Sequence, residues 1–129
     1  MSKRPIKIAV AQSRISPDVR ENGREIRRLM RQARSEGASL SHFPECAVSG
    51  CTKAQIKSWG GFDWDALVDE LRSVANLARE LGLWVVVGSA HRLTPPHSPH
   101  NSLYVISDRG EMATRYDKRF CSHTEITEW

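Results

Sequence analysis

Along this chain the apolar residues recur first every second position, then every third and fourth, then run together, and these changes of period mark out the elements. Residues 6–12, Ile-Lys-Ile-Ala-Val-Ala-Gln, alternate and are β-branched, which predicts a first strand. Ser16-Pro17-Asp18 breaks it. Over 19–36 the apolar positions Ile26, Met30 and Ala33, with Leu29 beside them, recur at three and four. That spacing predicts a helix with one buried stripe, which Gly37 ends. A short second strand follows at 40–43. Proline cannot donate to a ladder and holds its predecessor extended, so Pro44 makes Phe43 the last paired residue and Glu45 the first free to project.

Residues 45–61 carry Ser49-Gly50 and Gly60-Gly61 and read as irregular, with a short helical turn at 54–59. An irregular stretch of that length is uncommon unless it has a function. Asp63 is then placed to cap a long helix in which Leu67, Leu71, Val74, Ala78 and Leu81 keep helical spacing, and Gly82 terminates it. The near-continuous apolar run at 83–88 predicts a central strand covered on both faces. Residues 93–100 hold three prolines and form a loop. A strand at 101–107, a turn at Asp108-Arg109-Gly110 and a partner strand at 111–117 complete a hairpin. The order is strand, helix, strand, helix, strand, hairpin. It defines an α/β fold with a mixed sheet, flanking helices and no internal repeat.

Composition narrows the class. At 129 residues, with 40% hydrophobic and 26% charged positions, the chain is one ordinary globular domain able to bury a core without disulfides or metal. No apolar run reaches the length of a membrane span, and the basic N-terminus leads into a strand rather than a signal sequence, so a cytoplasmic location is expected. Three cysteines, Cys46, Cys51 and Cys121, with no CxxC spacing argue against a disulfide framework or a zinc site and suit free thiols in a reducing compartment. His97 and His100 lie in a proline-rich loop with no acidic or cysteine partner nearby, which favours loop residues over metal ligands. The net charge of +4 gathers at Arg14, Arg20, Arg24, Arg27, Arg28, Arg31 and Arg34. Those arginines fall on an amphipathic helix without interleaved aromatics, so a solvated face is favoured over a nucleic-acid surface.

Two polar residues stand at comparable strand ends, Glu45 and Lys118. An acid and a lysine on one sheet edge can serve as general base and oxyanion donor, or simply form an ion pair, and spacing alone favours the ion pair. The carboxyl end of an open α/β sheet is nevertheless where ligands bind.

The ordered set of short motifs resembles the N-terminal half of the nitrilase superfamily, the carbon-nitrogen hydrolases. It comprises Ile8-Ala9-Val10-Ala11-Gln12, the helix beginning near Asn22, Phe43-Pro44-Glu45 with Ser49-Gly50, and Val85-Val86-Val87-Gly88-Ser89. Asn101-Ser102, Asp108-Arg109-Gly110 and Tyr116-Asp117-Lys118 follow in the same order. The resemblance implies the N-terminal portion of an αββα sandwich. It implies a glutamate, lysine and cysteine triad, often assisted by a second glutamate. By position Glu45 resembles the general base and Lys118 the cation that stabilises the tetrahedral intermediate. Glu128, just before Trp129, and Glu125 are the alternatives for the assisting acid, with Glu128 preferred for the aromatic after it.

In that family the nucleophilic cysteine follows the lysine at some distance, and none of Cys46, Cys51 and Cys121 occupies its place; Arg119-Phe120-Cys121 also departs from the usual lysine segment. Residues 1–129 are therefore expected to be a partial domain, truncated before the nucleophile and inactive alone. The parent would hydrolyse a small amide, nitrile or carbamoyl substrate through a cysteine thioester, with no cofactor. An alternative is a non-catalytic homologue serving as an interaction module. Without a second layer, the face around residues 83–87 and the hairpin would lie open and favour a homo-oligomer.

Overall fold

A computed structural model describes residues 4–129. One five-stranded sheet, in the order β1-β2-β3-β4-β5, carries two helices on one face. The elements are β1 (Ile8–Val10), α1 (Val19–Ser35), β2 (Leu40–His42), α2 (Trp64–Leu81), β3 (Trp84–His91), β4 (His100–Ile106) and β5 (Met112–Asp117). β1, β2 and β3 are parallel, joined by the two helices as crossovers, whereas β4 is antiparallel to both β3 and β5. Hence β5 runs in the same sense as β2.

Each helix starts and stops where its local chemistry requires. The Asp18 carboxylate accepts from the N–H groups of Arg20 and Glu21, and the Asp63 carboxylate from that of Ala66, filling donors the helix itself leaves orphaned. At the far ends Ala38 N–H bonds back to Ala33 and Leu83 N–H to Ala78, around Gly37 and Gly82 at positive φ.

Ile26, Met30 and Ala33 from α1 and Leu67, Val74, Leu77 and Ala78 from α2 pack with Phe43, Val85, Val87, Tyr104 and Ile106 into one core. Between the helices, nearly buried Glu70 forms ion pairs with Arg27 and, at 3.8 Å, with Arg20. Part of the arginine-rich face is thus neutralised within the fold.

Several boundaries differ from the sequence reading. Among the described residues β1 pairs for three positions rather than seven, because it is an edge strand whose partner, β2, is itself three residues long. Phe43 still donates its N–H to Val86, at 2.8 Å, so pairing does end at the proline. Residues 54–59 form no helix: Lys53 has φ 64° and a bridge joins Thr52 to Ile56. β3 runs on to His91 because β4 pairs with it over seven positions.

The helices cover one face of β3; on its other face Trp84 is exposed and Val86 half-buried, whereas Gly88 and Ala90 are buried, Gly88 against the backbone that follows Pro44. On the other face Ile8, Val10, Trp84 and Tyr116 are exposed, Val10 by 81%. Among the described residues no helix is long and apolar enough to cross a membrane.

Candidate active site

Strand directions bring the two suspected residues to one edge. β2 and β5 run the same way, so Glu45 beyond one and Lys118 beyond the other emerge together. Antiparallel β4 between β3 and β5 contributes its beginning, where Asn101 stands. The Lys118 ammonium donates to Glu45 Oε1 at 2.9 Å. Asn101 Nδ2 donates to the same oxygen at 2.5 Å, and the Lys118 N–H returns to the Asn101 carbonyl at 2.8 Å. Asn101 is buried and Glu45 half exposed, at 51%. Glu45 Oε2 carries neither of these bonds, so it is the oxygen left to take a proton. A groove of about 200 Å³ beside them is lined by His42, Glu45, Asn101, Ser102, Leu103, Tyr116 and Lys118.

Glu45 is held by the chain that follows it. After Pro44 the backbone turns and then lies along β3: Val48 N–H bonds to Gly88 O at 3.0 Å, and the Ser49 hydroxyl accepts the Ala90 N–H at 2.9 Å. Asn22 of α1, fully buried, donates to the carbonyls of Val48 and Ser16 and accepts the Ser16 N–H. Buried amide groups of this kind must be paired, and here the pairing fixes the loop. At Gly88 a Cβ would lie 2.5 Å from the Cys46 nitrogen and 2.7 Å from the Glu45 Cα, so only glycine admits the turn.

The structure puts Glu125, rather than Glu128, on Lys118. Its Oε1 lies 3.0 Å from the ammonium, while the Glu128 carboxylate is approached by the Thr127 hydroxyl at 3.4 Å. Aromatic packing decides this. Trp129 packs on Trp59 with ring centroids 5.2 Å apart, and the Trp59 indole N–H donates to the Glu128 backbone carbonyl at 2.9 Å. Phe62 and Trp64 complete the cluster. These contacts dock the terminal segment, and the turn beginning at Ser122 aims Glu125 inward.

The Ser122 hydrogen bonds, followed by that of Lys118, hold the Glu125 carboxyl at about 2. Lys118 in turn is pushed up by its hydrogen bonds to Glu45 and Glu125, which fixes its positive charge. The arrangement provides a carboxylate base with one free oxygen, a permanent cation, and a second carboxylate across that cation.

Behind Lys118, on the helix side, Asp117 accepts from the Ser102 hydroxyl at 2.6 Å and from Arg115 Nε at 2.8 Å. Burial opposes its ionisation, but the bonds from Arg115 and Ser102 prevail and hold it at about 2. Arg115 also donates to His91 Nε2 at 2.6 Å, so the proton of the neutral imidazole resides on Nδ1 and is donated to the Tyr104 oxygen at 2.7 Å. Burial and then Arg115 lower the His91 pKa, consistent with the neutral ring. Sequence reasoning missed this buttress and the role of Asn101. The two-residue period of β4 and β5 could have placed Ser102 opposite Asp117.

The sequence model of the carbon-nitrogen hydrolase family matches residues 7–126. Among solved structures, an amidase from Nesterenkonia sp. superposes with a TM-score of 0.82 at 21% identity, covering 96% of this chain and 47% of that one. A mutant of the Nesterenkonia sp. AN1 amidase in complex with butyramide gives the same four values. The C. elegans NitFhit protein gives 0.69 at 19% identity, over 89% of this chain and 28% of that one. The chain thus spans about half the length of the amidases it matches, and at these identities the likeness is one of fold. No curated protein matches the sequence.

Proposed function

Because the chain belongs to the carbon-nitrogen hydrolase family, we propose that it supplies the acid-base half of a site that hydrolyses small amides, nitriles or carbamoyl groups through a cysteine thioester. The observation that carries this reading is the shared bond of Lys118 and Asn101 to Glu45 Oε1, which leaves Oε2 free. Glu45 Oε2 takes the proton of an attacking thiol. A thiol near its ordinary pKa is mostly protonated at neutral pH, so a base is needed. As sulfur adds to the substrate carbon, negative charge develops on the substrate oxygen or nitrogen, and the Lys118 ammonium stabilises it. Glu125 keeps that ammonium charged and oriented. The proton on Glu45 then passes to the leaving amine, and water hydrolyses the thioester.

The attacking thiol comes from a polypeptide layer that packs on the open face. Glu45 accepts its hydrogen bonds from Asn101 and Lys118, and none of these comes from Cys46 or Cys51. The exposed apolar residues Ile8, Val10, Trp84 and Tyr116 give that layer its docking surface, which in an αββα sandwich faces a second sheet. A second copy of this chain is the other occupant such a face would accept. Free thiols suit a reducing, cytoplasmic setting.

The test supplies this chain with a separately produced C-terminal half of a family amidase that bears the thiol, and measures ammonia release from short aliphatic amides. Activity should appear in the mixture, be absent from either half alone, and fall about a hundredfold or more with Glu45→Gln. Undiminished activity in that variant would sink the assignment. A defined, soluble oligomer that resists complementation would favour an interaction module instead.

A further inference from the structure

Part of the irregular stretch after Glu45 is closed by its own backbone. Gln55 and Ile56 donate their N–H groups to the Cys51 carbonyl, each at 3.0 Å, and Lys53 N–H returns to the Ile56 carbonyl at 3.0 Å. Within this small loop Lys53 has φ 64°. The left-handed region crowds the Cβ of a lysine, so a lysine persists there only where its surroundings hold it.

The Lys53 ammonium donates to the Thr124 carbonyl, and further along the same stretch the Trp59 indole N–H donates to the Glu128 carbonyl at 2.9 Å. Those two carbonyls flank Glu125. Thr124 precedes it directly, and after it the N–H groups of Glu128 and Trp129 bond to the Glu125 carbonyl at 2.9 and 3.2 Å. Inside the turn Ser122 N–H donates to Glu125 Oε2 at 2.7 Å, and the two carboxylate oxygens lie 3.0 and 3.2 Å from Lys118 Nζ. Ser122 thus shapes the turn but does not fasten it to the body of the fold. Apolar burial near it does not either, since Phe120 is 90% exposed and Ile126 63%. Among the described residues the fastening passes through the Trp129 ring and the two carbonyl bonds.

We propose that Lys53 and Trp59 are positioning residues, which clamp the two carbonyls flanking Glu125 and thereby hold its carboxylate on Lys118. The consequence for catalysis rests on the hydrolase reading; the clamp itself does not. With the clamp closed, the Lys118 ammonium lies between Glu45 and Glu125. With it open, the ammonium keeps Glu45 alone, and its direction toward developing negative charge is no longer fixed. A single exposed lysine bond is weak, so the effect of Lys53 alone is modest and that of Trp59 adds to it.

The test follows the Glu125 carboxyl carbon by NMR in the chain itself, and kcat in the enzyme complemented with a thiol-bearing half. In the unsubstituted chain the carboxyl, held at about 2, stays ionised well below the ordinary carboxylate range. In Lys53→Gly and in Trp59→Phe its midpoint should rise toward the ordinary value, furthest when the two are combined. Each should lower kcat by about threefold to tenfold, as loosened catalytic groups do. Lys53→Arg should restore both readouts. Lys53→Gly also relieves the left-handed backbone, so the urea midpoint should stay close to that of the unsubstituted chain while Glu125 is released, which a merely structural lysine would not do. A Glu125 carboxyl that titrates unchanged in the doubly substituted chain would overturn the proposal, as would a Lys53→Arg variant that behaves like Lys53→Gly. A carboxyl shift without any activity in the complemented pair would strike the hydrolase reading and leave the clamp standing. Activity that depends on Glu45 with Glu125 unmoved would do the reverse.

Discussion

The side-chain amide of Asn101 donates to Oε1 of Glu45 over 2.5 Å, while its backbone carbonyl accepts the Lys118 N–H at 2.8 Å. One buried residue at the start of β4 therefore sets the position of both the proposed base, Glu45, and the proposed cation, Lys118. Asn101→Ala is expected to lower kcat of the complemented enzyme by about 10- to 100-fold with little change in KM, as displaced catalytic groups do. Asn101→Asp places a like charge against Glu45 and disfavours its ionised form. Activity that needs the carboxylate should then be lost at a higher pH than in the unsubstituted enzyme, a shift read from the acid limb of the pH profile.

Gly88 allows the Glu45 turn to lie against β3. A Cβ there meets backbone atoms, which cannot rotate away as a side chain could. Gly88→Ala should cost about 1–3 kcal/mol by urea unfolding, in the range of overpacked sites. It should also weaken the Glu45–Lys118 contact, visible as a changed Lys118 ammonium resonance.

The helices are coupled by the Glu70 ion pairs with Arg27 and Arg20. Removing Arg27 leaves a nearly buried carboxylate with only the more distant guanidinium of Arg20. Arg27→Ala is expected to destabilise by about 3–5 kcal/mol, and Arg27→Met with Glu70→Leu to recover most of that loss. Equilibrium denaturation of the two variants decides it. An unchanged midpoint for Arg27→Ala would refute the coupling.

Glu125 is held at about 2 against an ordinary value of 4.5, first by Ser122 and then by Lys118. A depressed carboxyl pKa stabilises the fold fully above the unfolded value and ceases to do so as pH falls through the folded one. The docking of the terminal segment should therefore weaken from about pH 4.5 down to about 2. Fluorescence of the Trp59–Trp129 cluster reports it, and Glu125→Gln should weaken docking at neutral pH and flatten the dependence. Asp117, also held at about 2, adds to the loss over the same range, so Asp117→Asn is the companion variant.

By itself the sequence determined the order of the elements, the break at Ser16-Pro17-Asp18, the cap at Asp63, the stop at Pro44 and the resemblance that singled out Glu45 and Lys118. These are local signals: a period, a capping oxygen or a missing N–H acts within a few residues and is legible without the rest of the chain. Choosing between Glu125 and Glu128 was not local. It depended on where Trp129 found an aromatic partner, and that partner, Trp59, lies seventy residues earlier in a stretch whose own sequence suggested a helical turn. Asn101 was visible only as part of a motif, because its tie to Glu45 exists only once antiparallel β4 starts at the edge where β2 and β5 end. Tertiary structure alone decided these relationships, since each joins groups whose proximity is set by strand direction and packing rather than by neighbours in the chain.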